Sequence, residues 1–555
     1  MLWPAIAAAL CATFSAATTE SSLVAGGPSV AVDVTSDTAS SLPGTLSPSG
    51  FVLKFRISPD SRYAVYGSPA SIYSRRLPDG PPVQLARPDS CWTMSNYFLI
   101  TDDSATVLFT CRGDSPSDDL WAVPITGPSS AATLVSKPPD APYEVNEFYS
   151  ATSASRIFYT MPRVDPFRVE LYSVPVEGPA SAGIAINGPL GEGGRASAPF
   201  PLRQSSRVVY GVRRPWPQAS SIWMTALTAP NAVEIGVPPT PFPIGGWFVV
   251  APNEQRVVWT PGDENENYSL FSAPISDPPG KTVQLTANVP LSTLRGETVI
   301  SPDSTRVVFV SDQENLQPDL FSVPIDGPSS AAVNLSDVPP DWYPQFGGMR
   351  FSPDSGWMIY LGDREVAGRL DLYAVPAAGP ASANVRINPA DATTEAVGWV
   401  EAIPETSEVV FSLASTTPQG AYRCYRGSWL GGTGNATPLW TEPLLYQHIG
   451  CHWLVDSQSV LTASEDPFTD WAALWLAHGD GPPDLAPKKL LDSKQFEPRA
   501  DPFTYGDLEA TPDGRFVVYL GQPLGGDLGL WVLPLPFFWD GFESGGTGHW
   551  SSSEP

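Results

Sequence analysis

The sequence predicts an all-β fold built of about ten four-stranded repeats. Three observations predict it: apolar runs of strand length bounded by turn residues, a phrase that recurs about every fifty residues, and no run of helical period anywhere after the N-terminus. The phrase is clearest between Gly296 and Ser336. A first strand leads into the turn Ser301-Pro302-Asp303-Ser304, and a second strand spans Arg306 to Val310. After a polar loop come a third strand, Leu320 to Val323, the turn at Gly327-Pro328, and a fourth strand, Ala332 to Leu335. Pro302 presets φ at the second turn position and Asp303 can bond its own backbone there. Pro324 and Pro328 supply no ladder donor, so they mark strand ends.

The composition sets the outer bounds. A chain of 555 residues is too long for one ordinary core, so several domains or a repeat array are expected. With 42% hydrophobic residues, 62 prolines and 47 glycines, it is folded and rich in turns. The net charge of −27 argues against nucleic-acid and anionic-membrane surfaces as partners, because both require basic patches.

In chain order, residues 1–17 read as a secretory signal: Leu2 to Ala17 is apolar and small, and Ser15-Ala16-Ala17 places small residues where a signal peptidase reads. No other run approaches about 18 apolar residues, so no transmembrane segment is expected. Residues 18–50 form an N-terminal segment with one strand-like run, Val30 to Val34. Repeats occupy 51–536. Aligned on the third-strand aromatic, they fall at Tyr73, Trp121, Tyr172, Trp223, Phe271, Phe321, Tyr373, Tyr422, Trp475 and Trp531, spaced 48 to 56 residues apart. The first turn recurs as Ser58-Pro59-Asp60-Ser61, Ser352-Pro353-Asp354-Ser355 and Thr511-Pro512-Asp513-Gly514. A phrase V-P-x-x-G-P follows the third strand at Gly127-Pro128, Gly178-Pro179, Gly327-Pro328 and Gly379-Pro380.

Four strands per period of this length is the pattern of β-propeller blades, each of which needs neighbours to cover its two faces. A single large ring is favoured, with two tandem propellers as the alternative. The last repeat lacks a fourth strand, which Val30 to Val34 is expected to supply. The phrase F-S-P-D-S/G-x-x-[IV]-[VA]-[FY] followed by D-L-[WFY]-x-[VM] resembles the WD40-like repeat of the TolB propellers and of the propeller domains of prolyl-oligopeptidase relatives. The resemblance covers about Phe51 to Pro536 and implies a binding or scaffold module outside the cytoplasm. The tail, 537–555, holds Asp540-Gly541-Phe542-Glu543-Ser544-Gly545 and then Trp550-Ser551. It resembles the ending of many exported proteins of Gram-negative bacteria, which implies a periplasmic, extracellular or cell-surface location.

Few residues offer chemistry. Four cysteines remain after removal of the signal, Cys91, Cys111, Cys424 and Cys451. An even number in an exported chain suggests disulfides. The expected pairs are Cys91 with Cys111 and Cys424 with Cys451, although three pairings are open to the sequence. His448, His452 and His478 fall in one repeat. On a regular strand His448 and His452 share a face, which suits a transition metal, but no carboxylate completes the set. The acidic stretch Asp263 to Asn267 lacks the spacing of a calcium loop. The repeat aspartates read as turn residues. No G-x-S-x-G elbow is present, so a hydrolase domain of the prolyl-oligopeptidase type has no support. No catalytic residue, cofactor or small-molecule ligand is assigned.

The expected activity is therefore binding of a protein partner in the envelope or outside the cell. The alternative is a propeller enzyme, a lyase or glycosidase acting on extracellular polysaccharide. The connections between second and third strands differ in every repeat, from RVDPFRVE at Arg163 to GDREVAGRLD at Gly362. Varied loops on a rigid scaffold are where recognition concentrates. Arg213, Arg214 and Trp216 are the expected anchors, since Arg and Trp are favoured in interfaces.

Overall fold

A computed structural model of the chain describes residues 40–41 and most of 54–534. Residues 1–39, 42–53 and 535–555 lie outside the described residues, as do many connections, including 163–167, 215–220, 238–247, 261–268, 337–345, 467–470 and 493–507. The expected signal segment, Val30–Val34, the Asp263 to Asn267 stretch and the C-terminal tail all fall there.

The structure is a multi-blade β-propeller. Among the described residues the strands form ten four-stranded antiparallel sets, nine of them meandering in sequence order and the last completed by a strand from the N-terminal segment. In the sixth set the strands are Leu294–Ile300, Arg306–Ser311, Asp319–Pro324 and Val333–Asn334. The third and fourth sets are additionally joined by one parallel bridge, Val169 to Arg195. The fourth strand is usually two residues long and follows a short 3-10 turn, such as Ser129–Ala131 and Ser329–Ala331, which the sequence reading missed.

The second strand explains why the apolar runs are continuous. Val307, Val308, Phe309 and Val310 are all buried. Alternate side chains leave opposite faces of a strand. Val307 and Phe309 therefore pack with Ala251, Val258 and Leu285 of the fifth set, while Val308 and Val310 pack with Phe351, Met358 and Tyr360 of the seventh. Each such side chain contributes about 1.5–3 kcal/mol by leaving water. The third-strand aromatics stack on second-strand aromatics directly across the ladder, as in Tyr66–Tyr73, Tyr159–Tyr172, Phe309–Phe321 and Tyr360–Tyr373. In the eighth set the stacked residue is Tyr425, on Phe411, and not Tyr422 as the alignment expects.

The array closes on itself. Phe55, Ile57 and Tyr66 of the first set share a hydrophobic cluster with Val518 and Val532 of the last. The last set takes its fourth strand from the N-terminal segment at Ser40–Ser41, which pairs with Val532 and Trp531.

The Ser-Pro-Asp-Ser turns join neighbouring sets. The last serine of each turn has a left-handed φ, 61° at Ser61, 59° at Ser104, 61° at Ser304 and 62° at Ser355. Its hydroxyl accepts a hydrogen bond from the backbone N–H of the turn in the preceding set: Asp60 to Ser104 at 3.0 Å, Asn253 to Ser304 at 2.9 Å, and Asp513 to Ser61 at 3.0 Å across the closure. The turn aspartate bonds within its own turn, with Asp303 Oδ1 accepting from the Ser301 hydroxyl at 2.6 Å and the Thr305 N–H at 3.0 Å.

Candidate functional site

The two ends of the sheets are built differently. At one end lie the first-to-second and third-to-fourth connections. Where the repeated phrases occur, both are committed to packing between sets. The first are tied by the serine bonds, and the second by the glycine of V-P-x-x-G-P. Gly127 has φ +67°, and a Cβ there would lie 2.5 Å from Val83 Cγ1 on the fourth strand of the preceding set. Gly327 meets Val283 at the same 2.5 Å. Only glycine satisfies both demands.

At the other end lie the second-to-third connections and the links between sets. The described part of this end carries a polar clamp around the head of five of the third strands. The backbone N–H of Leu120, Leu171, Leu270, Leu320 and Leu372 donates to a side-chain oxygen 16 residues on, in Ser136, Asn187, Thr286, Ser336 and Asn388 respectively. The buried Asp319 accepts from the Ser336 hydroxyl at 2.8 Å. The buried Asp371 accepts from Asn388 Nδ2 at 2.9 Å and pairs with Arg369 at 2.6 Å. These acids are engaged in holding the third and fourth strands together. The recurring 16-residue separation was the signal for them in the sequence.

The first strands are also irregular. Among the described residues, six first strands carry a register shift against the second: at Met94/Phe98, Ser197/Phe200, Leu294/Thr298, Gly347/Arg350, Val397/Val400 and His448/Gly450. The shifts at Met94/Phe98, Leu294/Thr298 and His448/Gly450 lie toward the start of their strands, and the other three are central. Bulges of this kind re-aim side chains and cluster at rims and functional sites.

The sequence-predicted residues divide as follows. Arg213 is the last residue of the strand Arg207–Arg213 and is exposed. Arg214 is held within its own set: its guanidinium donates to Ser221 at 3.1 Å, pairs with Glu234 at 3.5 Å and lies 6.0 Å from the Trp223 ring centre. Trp216 lies outside the described residues. Of the histidines, His448 pairs in register with Ser464, His452 with Leu461 and His478 with Ser459, so the backbone sets them at three heights along one sheet. The bulge after His448 also interrupts the two-residue count on which a shared face depended. Among the described residues no three His, Cys, Asp or Glu side chains gather as a metal site.

Cys424 and Cys451 form a disulfide, which links the third strand of the eighth set to the first strand of the ninth. Cys111 is disulfide-bonded to a cysteine outside the described residues, where Cys91 lies. No helix among the described residues is long and apolar enough to cross a membrane.

No family model and no curated protein matches the chain. Among solved structures it is similar to a prolyl endopeptidase, at 13% identity and TM-score 0.35, over 68% of this chain and 54% of the other. It is also similar to a eukaryotic initiation factor, at 10% identity and TM-score 0.43, over 81% and 90%. A third likeness is to a putative TolB from Agrobacterium tumefaciens, at 15% identity and TM-score 0.26, over 55% and 94%. The chain spans about half the length of the prolyl endopeptidase. Identities this low say nothing of activity.

Proposed function

We propose that this chain is an exported, TolB-like β-propeller that binds a protein partner in the cell envelope or outside the cell, and that the end carrying the second-to-third connections is its recognition surface. The observation that carries the reading is the asymmetry of the two ends. At one end the repeated turns are consumed by contacts between sets, through Ser104 on Asp60 and Gly127 on Val83, and have no freedom to vary. At the other the connections differ in every repeat, while in five sets the same polar clamp lies at the head of the third strand, a fixed platform under variable loops. The N-terminal signal, the DGFESG tail and the disulfides support an oxidising compartment.

The test places a photo-crosslinking residue in turn at 216 and 316, in the variable loops, and at 126, in a repeated turn, in the full chain expressed in its own host. The reading expects a defined crosslinked protein from 216 or 316 and none from 126. Crosslinks confined to 126 would put recognition on the opposite end.

A further inference from the structure

We infer that a single buried water molecule is bound between Tyr373 and Arg386, at the seam of the sixth and seventh sets, beneath the second-to-third connection of the seventh. This site goes beyond the reading of that end as a recognition surface and stands whether or not a partner binds there.

Two polar atoms define it. Tyr373 is on the third strand, Asp371–Pro376, and Arg386 on the two-residue fourth strand, Val385–Arg386. The two are direct register partners, so their side chains share one face of the sheet. Tyr373 is 1% exposed and Arg386 8%. Among the described residues neither the Tyr373 hydroxyl nor the Arg386 Nε has a hydrogen-bond partner, and no other two such buried atoms stand on register partners. A buried donor without an acceptor is costly, and native proteins settle such groups with ordered water.

The other sets show why the need arises at this place. In the third set Tyr172, at the position of Tyr373, donates to Glu170 two residues earlier at 2.6 Å. In the fourth set Trp223 donates to Ser221 over the same separation at 2.8 Å. In the seventh set that position is Asp371, one methylene shorter than glutamate and already held by Arg369 and Asn388. The fourth-strand neighbour differs as well: Ala185 stands opposite Tyr172, but Arg386 stands opposite Tyr373. Arg386 Nη1 donates to Glu365 of the second-to-third connection, which leaves the Nε–H over.

The chemistry selects water. A guanidinium offers donors alone, and burial pushes the pKa of the Tyr373 hydroxyl up, so the hydroxyl keeps its proton. Two donors call for an acceptor with two lone pairs. The charges that act on the hydroxyl are Glu365 and Asp371 against Arg364 and Arg386, a balance that favours neither an anion nor a cation. Arg364 lies over the Tyr373 ring, 5.9 Å from its centre, and donates to the Ser336 carbonyl of the sixth set at 2.9 Å. Val308, Leu320 and Leu335 of the sixth set pack in one cluster with Tyr373. A small neutral molecule that both accepts and donates suits such surroundings.

The experiment is a crystal structure of the full mature chain at a resolution that shows ordered water, with denaturant midpoints for wild type, Tyr373→Phe, Arg386→Lys and the double variant. Arg386→Lys removes the Nε–H and keeps a cation for Glu365. The expected result is one solvent peak within hydrogen-bond distance of both Tyr373 Oη and Arg386 Nε. Tyr373→Phe should lower the midpoint, because it strands the water and the Nε–H. The double variant should lose clearly less than the sum of the two single losses, because either change alone already breaks the bridge. A midpoint that rises or stays level in Tyr373→Phe would mean that the hydroxyl is a bare buried group, whose removal relieves a cost, and overturns the inference. A site without a solvent peak, a direct Oη to Nε contact, density too large for water, or strictly additive losses overturns it too.

Discussion

The backbone N–H of Asp303 donates to the hydroxyl of Ser355, 52 residues later, over 3.0 Å. The bond joins the sixth set to the seventh, and it recurs between Asp60 and Ser104, between Asn253 and Ser304 and, across the closure, between Asp513 and Ser61. The acceptor sits at φ 62°, a conformation that serine tolerates poorly. The hydroxyl accepts the bond at a conformational cost that glycine at the same place avoids, and Gly514 occupies the equivalent position in the last set with φ 66°.

Two substitutions separate the bond from the strain. Ser355→Ala removes the acceptor and keeps the strain, so it should destabilise by about 1 kcal/mol. Ser355→Gly also removes the acceptor but relieves the left-handed residue, a gain of similar size, and should lie close to wild type. Denaturant midpoints measured side by side give the order. An alanine variant as stable as wild type would mean that the bond contributes nothing.

The same turns set a response to acid. Asp303 is pushed up by burial, but hydrogen bonds from Ser301 and Thr305 outweigh this and hold its carboxyl below the usual range. Asp354 is held low by bonds from Ser352 and Gly356. A carboxylate whose folded pKa is depressed contributes stability that is fully present above its unfolded value, near 3.9, and is lost as pH falls through the folded value. Stability should therefore be flat from neutrality to about pH 5 and fall below about pH 4. Asp303→Asn/Asp354→Asn should be less stable at neutral pH and lose less on acidification. An unchanged acid slope in that variant would place the sensitivity elsewhere.

The repeat was legible because each part of it has a short-range cause. The V-P-x-x-G-P turn, the Ser-Pro-Asp turn and the aromatic of the third strand are all written locally, and the strands of the sixth set lie within a residue or two of their expected bounds. What failed depended on partners far along the chain. Tyr422 was aligned in place of Tyr425 because the stacking partner, Phe411, is on another strand. Tyr425 lies 52 residues after Tyr373 and 50 before Trp475, which is the more regular spacing. The contacts of Arg214 with Ser221, Glu234 and Trp223 were not legible either, because they join residues on different strands. The bulge at His448 leaves no mark in a period-two count. The Tyr373–Arg386 pairing required the register of two strands, which no spacing in the sequence reveals.

Gly127 offers a second test of how sets are held together. Gly127→Ala introduces a Cβ 2.5 Å from Val83 Cγ1 at a residue with φ +67°. The clash and the strain together should cost about 1–3 kcal/mol. Gly432, at φ +84° with nothing within 4 Å of an added Cβ, isolates the strain. Gly432→Ala should therefore be the milder change, and Val83→Ala should recover part of the loss in the Gly127 variant while doing nothing for the Gly432 variant. Equal melting temperatures for the two alanine variants would show that the approach of Gly127 to the preceding set is slack.

The closure of the ring is open to a test by hydrogen exchange. The last set is completed by Ser40–Ser41, paired with Val532 and Trp531, whereas the sequence reading assigned that role to Val30–Val34. Proline has no N–H and does not sit within a ladder. Ser40→Pro/Ser41→Pro should therefore unzip this edge and speed amide exchange across Gly529–Pro534, because an uncovered edge strand frays. Exchange in Arg306–Ser311, on the far side of the ring, should be unchanged. Deleting residues 30–34 should affect neither region. If that deletion deprotects Gly529–Pro534 and the double proline variant does not, the closing strand is Val30–Val34, and the pairing of Ser41 with Trp531 is incidental to the ring.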